Sequence, residues 1–397
     1  MQLPRRLRAG LIAFIVFLML GLSAQAALGY WVRDYLDNIA PTGDDEAVKG
    51  VYLTRMALSY DDRLVLMGSS ELTFQDRYHA ARLFANKPTG FSVYVVGSGY
   101  RQSIHNFLAL SALGKDLKGK QIVLFVSPTW FTKTIGEKAY RKNFSTLQAY
   151  EFVYAAPVSP ELKRRGARRL LELGGQAAEE PLLRSALDSV AHDRPIGYAA
   201  GWPLGRLALE QYRGKDTWDV ARLIVRNRLK PARPTVRRLP LDWQDLMNQA
   251  TAEANAKSVH NPFGMSDDFY KKWVEPKLSE IEGSERDANW MDSTEWNDLQ
   301  LTLDLLKELE AKPLFISLPV LGQYSDFKGH PAADRRAYYA KVKAQIESAG
   351  FPVVDLSPSE YEPAFHSDPW HQGWKGSVTI AQKLDQFYHG TLPEANR

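Results

Sequence analysis

Three residues have types and surroundings suited to acyl-group chemistry. Ser70 lies in Leu64-Val65-Leu66-Met67-Gly68-Ser69-Ser70-Glu71-Leu72, a short apolar strand, a glycine, two serines and a helix start. A serine at the carboxyl end of a parallel strand is rigidly held, and a helix start offers free N–H groups to a developing negative charge. Asp368 and His371 lie in the loop Phe365-His366-Ser367-Asp368-Pro369-Trp370-His371-Gln372-Gly373-Trp374-Lys375-Gly376. Histidine can take the proton of a serine hydroxyl, and a carboxylate on its other ring nitrogen fixes tautomer and orientation. The chain order Ser…Asp…His also fits a serine hydrolase. His366 is a second candidate for the base. The plainer readings are a serine that only caps a helix and histidines with surface or structural roles.

These residues need a scaffold that brings them together. Arg63 to Met67 reads as the first core strand, and Phe74 to Phe84 has helical spacing, stopped by Lys87-Pro88-Thr89-Gly90. Phe91 to Val96 is a second strand, followed by Gly97-Ser98-Gly99, and Ile104 to Leu113 a helix. Gln121 to Val126 is a third strand, followed by Ser127-Pro128-Thr129-Trp130. Strand–helix alternation at this spacing predicts an α/β fold with a parallel sheet and helices on both faces. Right-handed crossovers put the loops after these strands on one edge, where sites of such sheets lie. After a segment from about 132 to 292, rich in helix formers and charges, the pattern resumes. Trp296 to Leu309 is a helix, Pro313 to Pro319 a strand, Asp334 to Ala349 a helix, Pro352 to Leu356 a fifth strand and Ser377 to Phe387 the last helix. The segment is therefore a helical insertion in the α/β domain. Gly174-Gly175, Gly201-Trp202-Pro203 and Asn261-Pro262-Phe263-Gly264 are its turn signals. Its two basic clusters, Lys163 to Arg169 and Arg226 to Arg238, are solvated helix faces or contacts for anionic lipid or polyphosphate.

At the N-terminus, Arg5, Arg6 and Arg8 precede an uncharged run from Leu11 to Val32, long enough to span a bilayer. Ala24-Gln25-Ala26 has the pattern of a signal-peptidase site, so the segment is an uncleaved anchor or a signal peptide. The anchor reading is favoured because the apolar run continues past that site to Val32. With the basic flank first, the N-terminus stays cytoplasmic and the rest is exported. This divides the chain into an anchor at 1–32, a connector at 33–62 with the turn Pro41-Thr42-Gly43-Asp44-Asp45, and an exported α/β domain at 63–397.

Composition narrows the function classes. Lys+Arg 50 nearly balances Asp+Glu 46 in 397 residues, which gives little support to nucleic acid as a partner. The absence of cysteine excludes disulfides, thiolate metal sites and cysteine nucleophiles. No His-x-x-x-His pair occurs among the eight histidines, and no metal or other cofactor is indicated. Gly114 to Lys120 resembles a phosphate-binding loop, but Gln121 replaces its Ser/Thr and the stretch precedes a strand.

Gly68-Ser69-Ser70-Glu71-Leu72 resembles the Gly-Asp-Ser-Leu block of SGNH hydrolases, and Asp368-Pro369-Trp370-His371 their closing Asp-x-x-His block. More closely, the chain resembles the DltD family of teichoic acid D-alanylation, with its single N-terminal anchor, GSSE-type turn and D-P-x-H-x-G-W-x-G block. That resemblance implies an SGNH-like, flavodoxin-like sheet of about five strands and a cell-membrane location with one span. It implies D-alanyl transfer to an envelope polymer such as (lipo)teichoic acid, with Ser70 as nucleophile, His371 as base and Asp368 orienting it. Its partners would be a membrane acyltransferase of the MBOAT type, a D-alanyl carrier protein and an anionic polymer. Two departures from SGNH enzymes stand out. Ser69 replaces the aspartate before the nucleophile, and Ser127-Pro128-Thr129-Trp130 stands where a Gly-x-Asn-Asp block supplies an oxyanion donor. The oxyanion hole is then left to the Ser70 N–H, Gly99 or Gly97, and Thr129 or Trp130, with Trp130 equally a packing residue. Glu71 is a candidate for the D-alanyl ammonium group. The competing functions are an extracytoplasmic esterase or thioesterase, and a non-catalytic assembly factor for the acyltransferase.

Overall fold

The computed structural model describes residues 4–39, 48–73, 76–131, 134–232 and 237–393. The turn at 41–45, Phe74 and Arg233 lie outside them.

Five strands form one parallel sheet: β1 (Arg63–Gly68), β2 (Ser92–Gly97), β3 (Gln121–Val126), β4 (Lys312–Ser317) and β5 (Val353–Asp355), in the order β2-β1-β3-β4-β5. This is the order of doubly wound flavodoxin-like sheets. Helices cover both faces, so β1 is buried along its whole length and after Arg63 reads as an unbroken apolar run. Val65, Met67, Tyr94, Val96, Ile122 and Leu124 face one core. Leu64, Leu66, Val93, Val95, Val123 and Phe125 face the other. The period-two alternation of each strand makes this division.

The helices that matter below, in chain order, are α1 (Arg5–Val32), α2 (Tyr52–Leu58), α3 (Ala80–Asn86), α4 (Ser103–Leu113), α5 (Glu137–Asn143), α6 (Thr146–Tyr154), α7 (Pro160–Leu173), α8 (Pro181–Ala191), α9 (Pro195–Arg226), α10 (Trp243–Asn255), α11 (Glu295–Glu308), α12 (Ala332–Ser348) and α13 (Lys375–Tyr388). Between β3 and β4 the chain is helical without a further strand among the described residues. Aromatic and leucine side chains bind this insertion to the sheet's helices: Tyr150 and Phe152 of α6 join Leu162 and Leu170 of α7, Leu183 of α8 and Leu209 of α9 in the same core as α4. Leu246, Ala250 and Ala254 of α10 instead pack with Val378, Ala381 and Leu384 of α13 on the opposite face.

Two local expectations change. The helix expected from Phe74 starts only at Ala80, because Asp76 Oδ1 accepts the Tyr78 and His79 N–H groups in a turn. Ser70 therefore opens a single 3-10 turn, Ser70–Leu72, and no long helix. The break expected at Gly201-Trp202-Pro203 is absent: α9 runs through Pro203. Neighbouring helices supply the packing that overrides the weak local signal.

α1 is a 28-residue helix over the expected anchor, with Ile12, Val16 and Met19 exposed. Among the described residues, however, no helix is long and apolar enough to cross a membrane. Its end is fixed to the domain: Val32, Leu36 and Ile39 are fully buried in the main core.

Candidate active site

The turn after β1 is shaped by backbone contact. A Cβ on Gly97 at the end of β2 would lie 2.6 Å from Leu72 Cβ and 2.9 Å from the Ser69 carbonyl oxygen, so only glycine lets these strand ends approach. Ser69 Oγ donates to the Ser98 carbonyl at 3.2 Å, tying the two loops together. Ser69 thus shapes the turn, and Ser70 is left facing the C-terminal loop.

That loop brings the other two residues. His371 Nε2 lies 2.7 Å from Ser70 Oγ, and His371 Nδ1 lies 2.7 Å from Asp368 Oδ2. Asp368, only 2% exposed, also accepts the Trp370 and His371 N–H groups on Oδ1, each at 2.9 Å. With Asp368 ionised, Nδ1 carries the proton and Nε2 is the acceptor for the serine hydroxyl. Burial disfavours a charged His371. The hydrogen bond and charge of Asp368, with the charge of Glu71 behind them, outweigh burial and raise its pKa.

Several residues that the sequence reading missed hold this loop in place. Asp76 Oδ2 accepts the Trp374 N–H at 2.6 Å and the Ser377 hydroxyl at 3.2 Å, joining the segment after Ser70 to the start of α13. Burial raises the Asp76 pKa despite those bonds. Pro319 after β4 takes the Gln372 side-chain N–H at 2.9 Å, and the Ser266 N–H donates to the Ser367 carbonyl at 2.9 Å. A Cβ on Gly376 would sit 2.3 Å from the Phe365 carbonyl, which accounts for the glycine at the end of the block. Asp76 sits in a stretch that reads as helix, so only its position beside a turn could have signalled it.

The remaining candidates separate clearly. His366 is buried, with Nε2 3.3 Å from the Pro319 carbonyl, and burial lowers its pKa to about 4. It is held neutral beside β4, away from Ser70 in the hydrogen-bond network. Gly99 is beside the nucleophile: its Cβ position lies 3.9 Å from Ser70 Cβ. Among the described residues neither the Ser70 nor the Gly99 N–H donates to a protein acceptor, so both remain available to an oxyanion. The Gly99 carbonyl is held by Asn143 Nδ2 at 3.0 Å. Trp130 is buried in the main core and its N–H donates to Ser127. The Thr129 hydroxyl bonds the Ser127 hydroxyl at 2.9 Å. Neither is linked to Ser70 by a described hydrogen bond.

Glu71 is turned inward. Its Oε1 accepts the Ser69 N–H at 2.5 Å, and its side chain lines a cavity of about 20 Å³ with Leu66, Phe125 and Leu384. That space is of the size of one water. Burial raises the Glu71 pKa, although the Ser69 N–H, His371 and Arg101 favour its charged form. Among the described residues, no cluster of His, Asp and Glu is arranged to hold a metal ion.

The class the fold defines is that of doubly wound parallel α/β proteins, here with a hydrogen-bonded Ser70–His371–Asp368 series in the loops at the carboxyl edge of the sheet. The comparisons narrow that class. The family model described as "DltD protein" matches residues 40–389, and the chain belongs to this family. It is 29% identical to Protein DltD of Bacillus subtilis (strain 168) over 95% of this chain and 96% of that one. It is 28% identical to Protein DltD of Lacticaseibacillus rhamnosus over 87% of this chain and 81% of that one. With Protein DltD of Staphylococcus aureus (strain NCTC 8325 / PS 47) it shares 25% identity over 97% and 95%.

Proposed function

We propose that this protein transfers D-alanyl groups to a cell-envelope polymer by a Ser70 acyl-enzyme mechanism of SGNH type. The observation that carries the reading is the continuous Ser70–His371–Asp368 series, with both steps at 2.7 Å. Ser70 Oγ attacks the carbonyl carbon of an activated D-alanyl ester or thioester while His371 Nε2 takes its proton. The tetrahedral oxygen is met by the Ser70 and Gly99 N–H groups. Collapse expels the donor's alcohol or thiol, which leaves with that proton from His371. An acceptor hydroxyl then attacks the acyl-enzyme, gives its proton to His371, and Ser70 leaves as the hydroxyl when His371 returns the proton.

In this reading the domain at 63–397, with its helical insertion, is extracytoplasmic, and α1 is the single-pass anchor. The anionic polymer is the acceptor, and the MBOAT-type acyltransferase with the D-alanyl carrier protein supplies the acyl group upstream. Family membership and the arginine-flanked apolar segment support this arrangement. The direct test is Ser70→Ala in cells with unchanged protein level. Polymer D-alanylation is expected to fall to the background of a deletion strain; full D-alanylation would leave the assembly-factor reading standing. Purified protein given a D-alanyl thioester and a glycerol-phosphate acceptor should yield acylated acceptor, whereas free D-alanine alone marks an esterase.

A further inference from the structure

The rim of the site contains a cation that the acyl-transfer steps above leave without a role. A Cβ on Gly99 would lie 3.9 Å from Ser70 Cβ and 3.7 Å from Lys142 Nζ, so both side chains border this glycine. Lys142 is exposed and lies on α5, and among the described residues no carboxylate pairs with its ammonium group. That group is instead 5.3 Å from the centroid of the Tyr100 ring. Tyr100 is itself unusual: a non-glycine residue at φ 72°, and 67% exposed. A bulky residue held in the left-handed region without burying its ring is not explained by packing.

The placement of Lys142 is fixed from below. Asn143 Nδ2 donates to the Gly99 carbonyl at 3.0 Å, and His105 Nε2 meets the Tyr140 carbonyl at 3.2 Å. His105 Nδ1 also accepts the Gln102 N–H at 3.1 Å, so its Nε2 is the protonated nitrogen. α5 is thereby bolted to α4 and to the loop carrying Gly99. Lys142 thus borders the same glycine as Ser70, where the part of an incoming acceptor beyond its attacking hydroxyl would lie.

We propose that Lys142, seated on Tyr100, is a subsite for the phosphodiester next to the acceptor hydroxyl and makes the enzyme prefer phosphate-bearing acceptors. In a β-hydroxy phosphodiester the two groups are roughly 4 Å apart by ordinary bond lengths, so one acceptor can place its hydroxyl at Ser70 and its phosphate at Lys142, both of which border Gly99. A lysine ammonium donates charge-assisted hydrogen bonds to phosphate oxygens and tolerates variable geometry. The inference rests on the acyl-transfer reading, and the phosphate it recognises belongs to a polymer or to a lipid headgroup.

The test uses the full chain in detergent with D-alanyl-N-acetylcysteamine as donor. The acceptors are glycerol, glycerol 1-phosphate and phosphatidylglycerol in phosphatidylcholine vesicles. In Lys142→Ala, kcat/KM for a phosphate-bearing acceptor relative to glycerol should fall about five- to tenfold. Lys142→Arg should restore most of it, and about 0.5 M salt should depress the ratio in the native protein but not in Lys142→Ala. Loss confined to glycerol 1-phosphate assigns the subsite to polymer, and loss confined to phosphatidylglycerol assigns it to lipid. An unchanged ratio in Lys142→Ala overturns the subsite. Ser70→Ala keeps the two failures apart. If it abolishes transfer while Lys142→Ala keeps the native ratio, only the subsite falls. If Ser70→Ala still transfers, the catalytic reading and the subsite fall together.

Discussion

His371 is the residue through which pH acts on the proposed reaction. The base must be neutral to accept the Ser70 proton, and Asp368 and Glu71 hold its pKa above the ordinary 6.5 against the effect of burial. Acylation should therefore rise with pH through a limb that lies above 6.5. The same raised value contributes stability that is fully present below the unfolded pKa and is lost as pH rises through the folded one. Asp368→Asn removes the charge and presents the wrong partner to Nδ1. We expect single-turnover acylation of Ser70 to slow by about 10³- to 10⁴-fold, with its limb displaced to lower pH. A limb that stays in place would separate His371 from the rate-limiting proton transfer.

At the scale of elements, the insertion is attached through buried polar groups as well as apolar surface. Asp216 in α9 accepts the N–H groups of Val51 and Tyr52, both at 2.8 Å, and so holds the start of α2. Burial raises its pKa to about 6, although those two bonds favour the carboxylate. Between the unfolded value near 3.8 and the folded value near 6 the native state binds more protons. Stability from this group therefore falls as pH rises through that window. Asp216→Asn retains a carbonyl oxygen for both N–H groups and removes the titration. Relative to this variant, the native protein should lose about 2–3 kcal/mol between about pH 4 and pH 7. Thermal melting at both pH values tests this, and a constant difference in Tm would exclude Asp216 as the source. The basic cluster of α7 is likewise turned to internal use. Arg169 makes a two-pronged contact with Asp298 of α11, and Arg165 pairs with Asp304 at 2.6 Å.

For the whole molecule, the N-terminal segment is continuous with the core. Val32, Leu36 and Ile39 are fully buried, and the Ala232 N–H donates to the Asp34 carbonyl at 2.8 Å. Buried aliphatic side chains contribute about 1.5–3 kcal/mol each. A chain beginning at residue 31 should therefore keep the native Tm, whereas one beginning at residue 41 should be destabilised by about 5 kcal/mol. Equal melting of the two chains would show that the packing of 32–39 contributes nothing.

Much of this was legible in the sequence because the relevant signals are local. The apolar runs at 64–67, 93–96, 122–126 and 313–316, separated by helical spacing, indicated the parallel sheet, since a strand covered on both faces is apolar over its buried length. The Gly68-Ser69-Ser70 and Asp368-x-x-His371 blocks marked the two loops, far apart in the chain, that carry the proposed series. Three-dimensional structure alone decided which neighbours those residues acquired. It turned Glu71 inward, buried Trp130, held His366 on the Pro319 carbonyl, and carried α9 through Pro203. It also brought Asp76, Asn143 and Lys142 to the site, none of which has a flanking motif. Their roles depend on contacts between segments far apart in the chain, and backbone topology, rather than local spacing, sets those contacts.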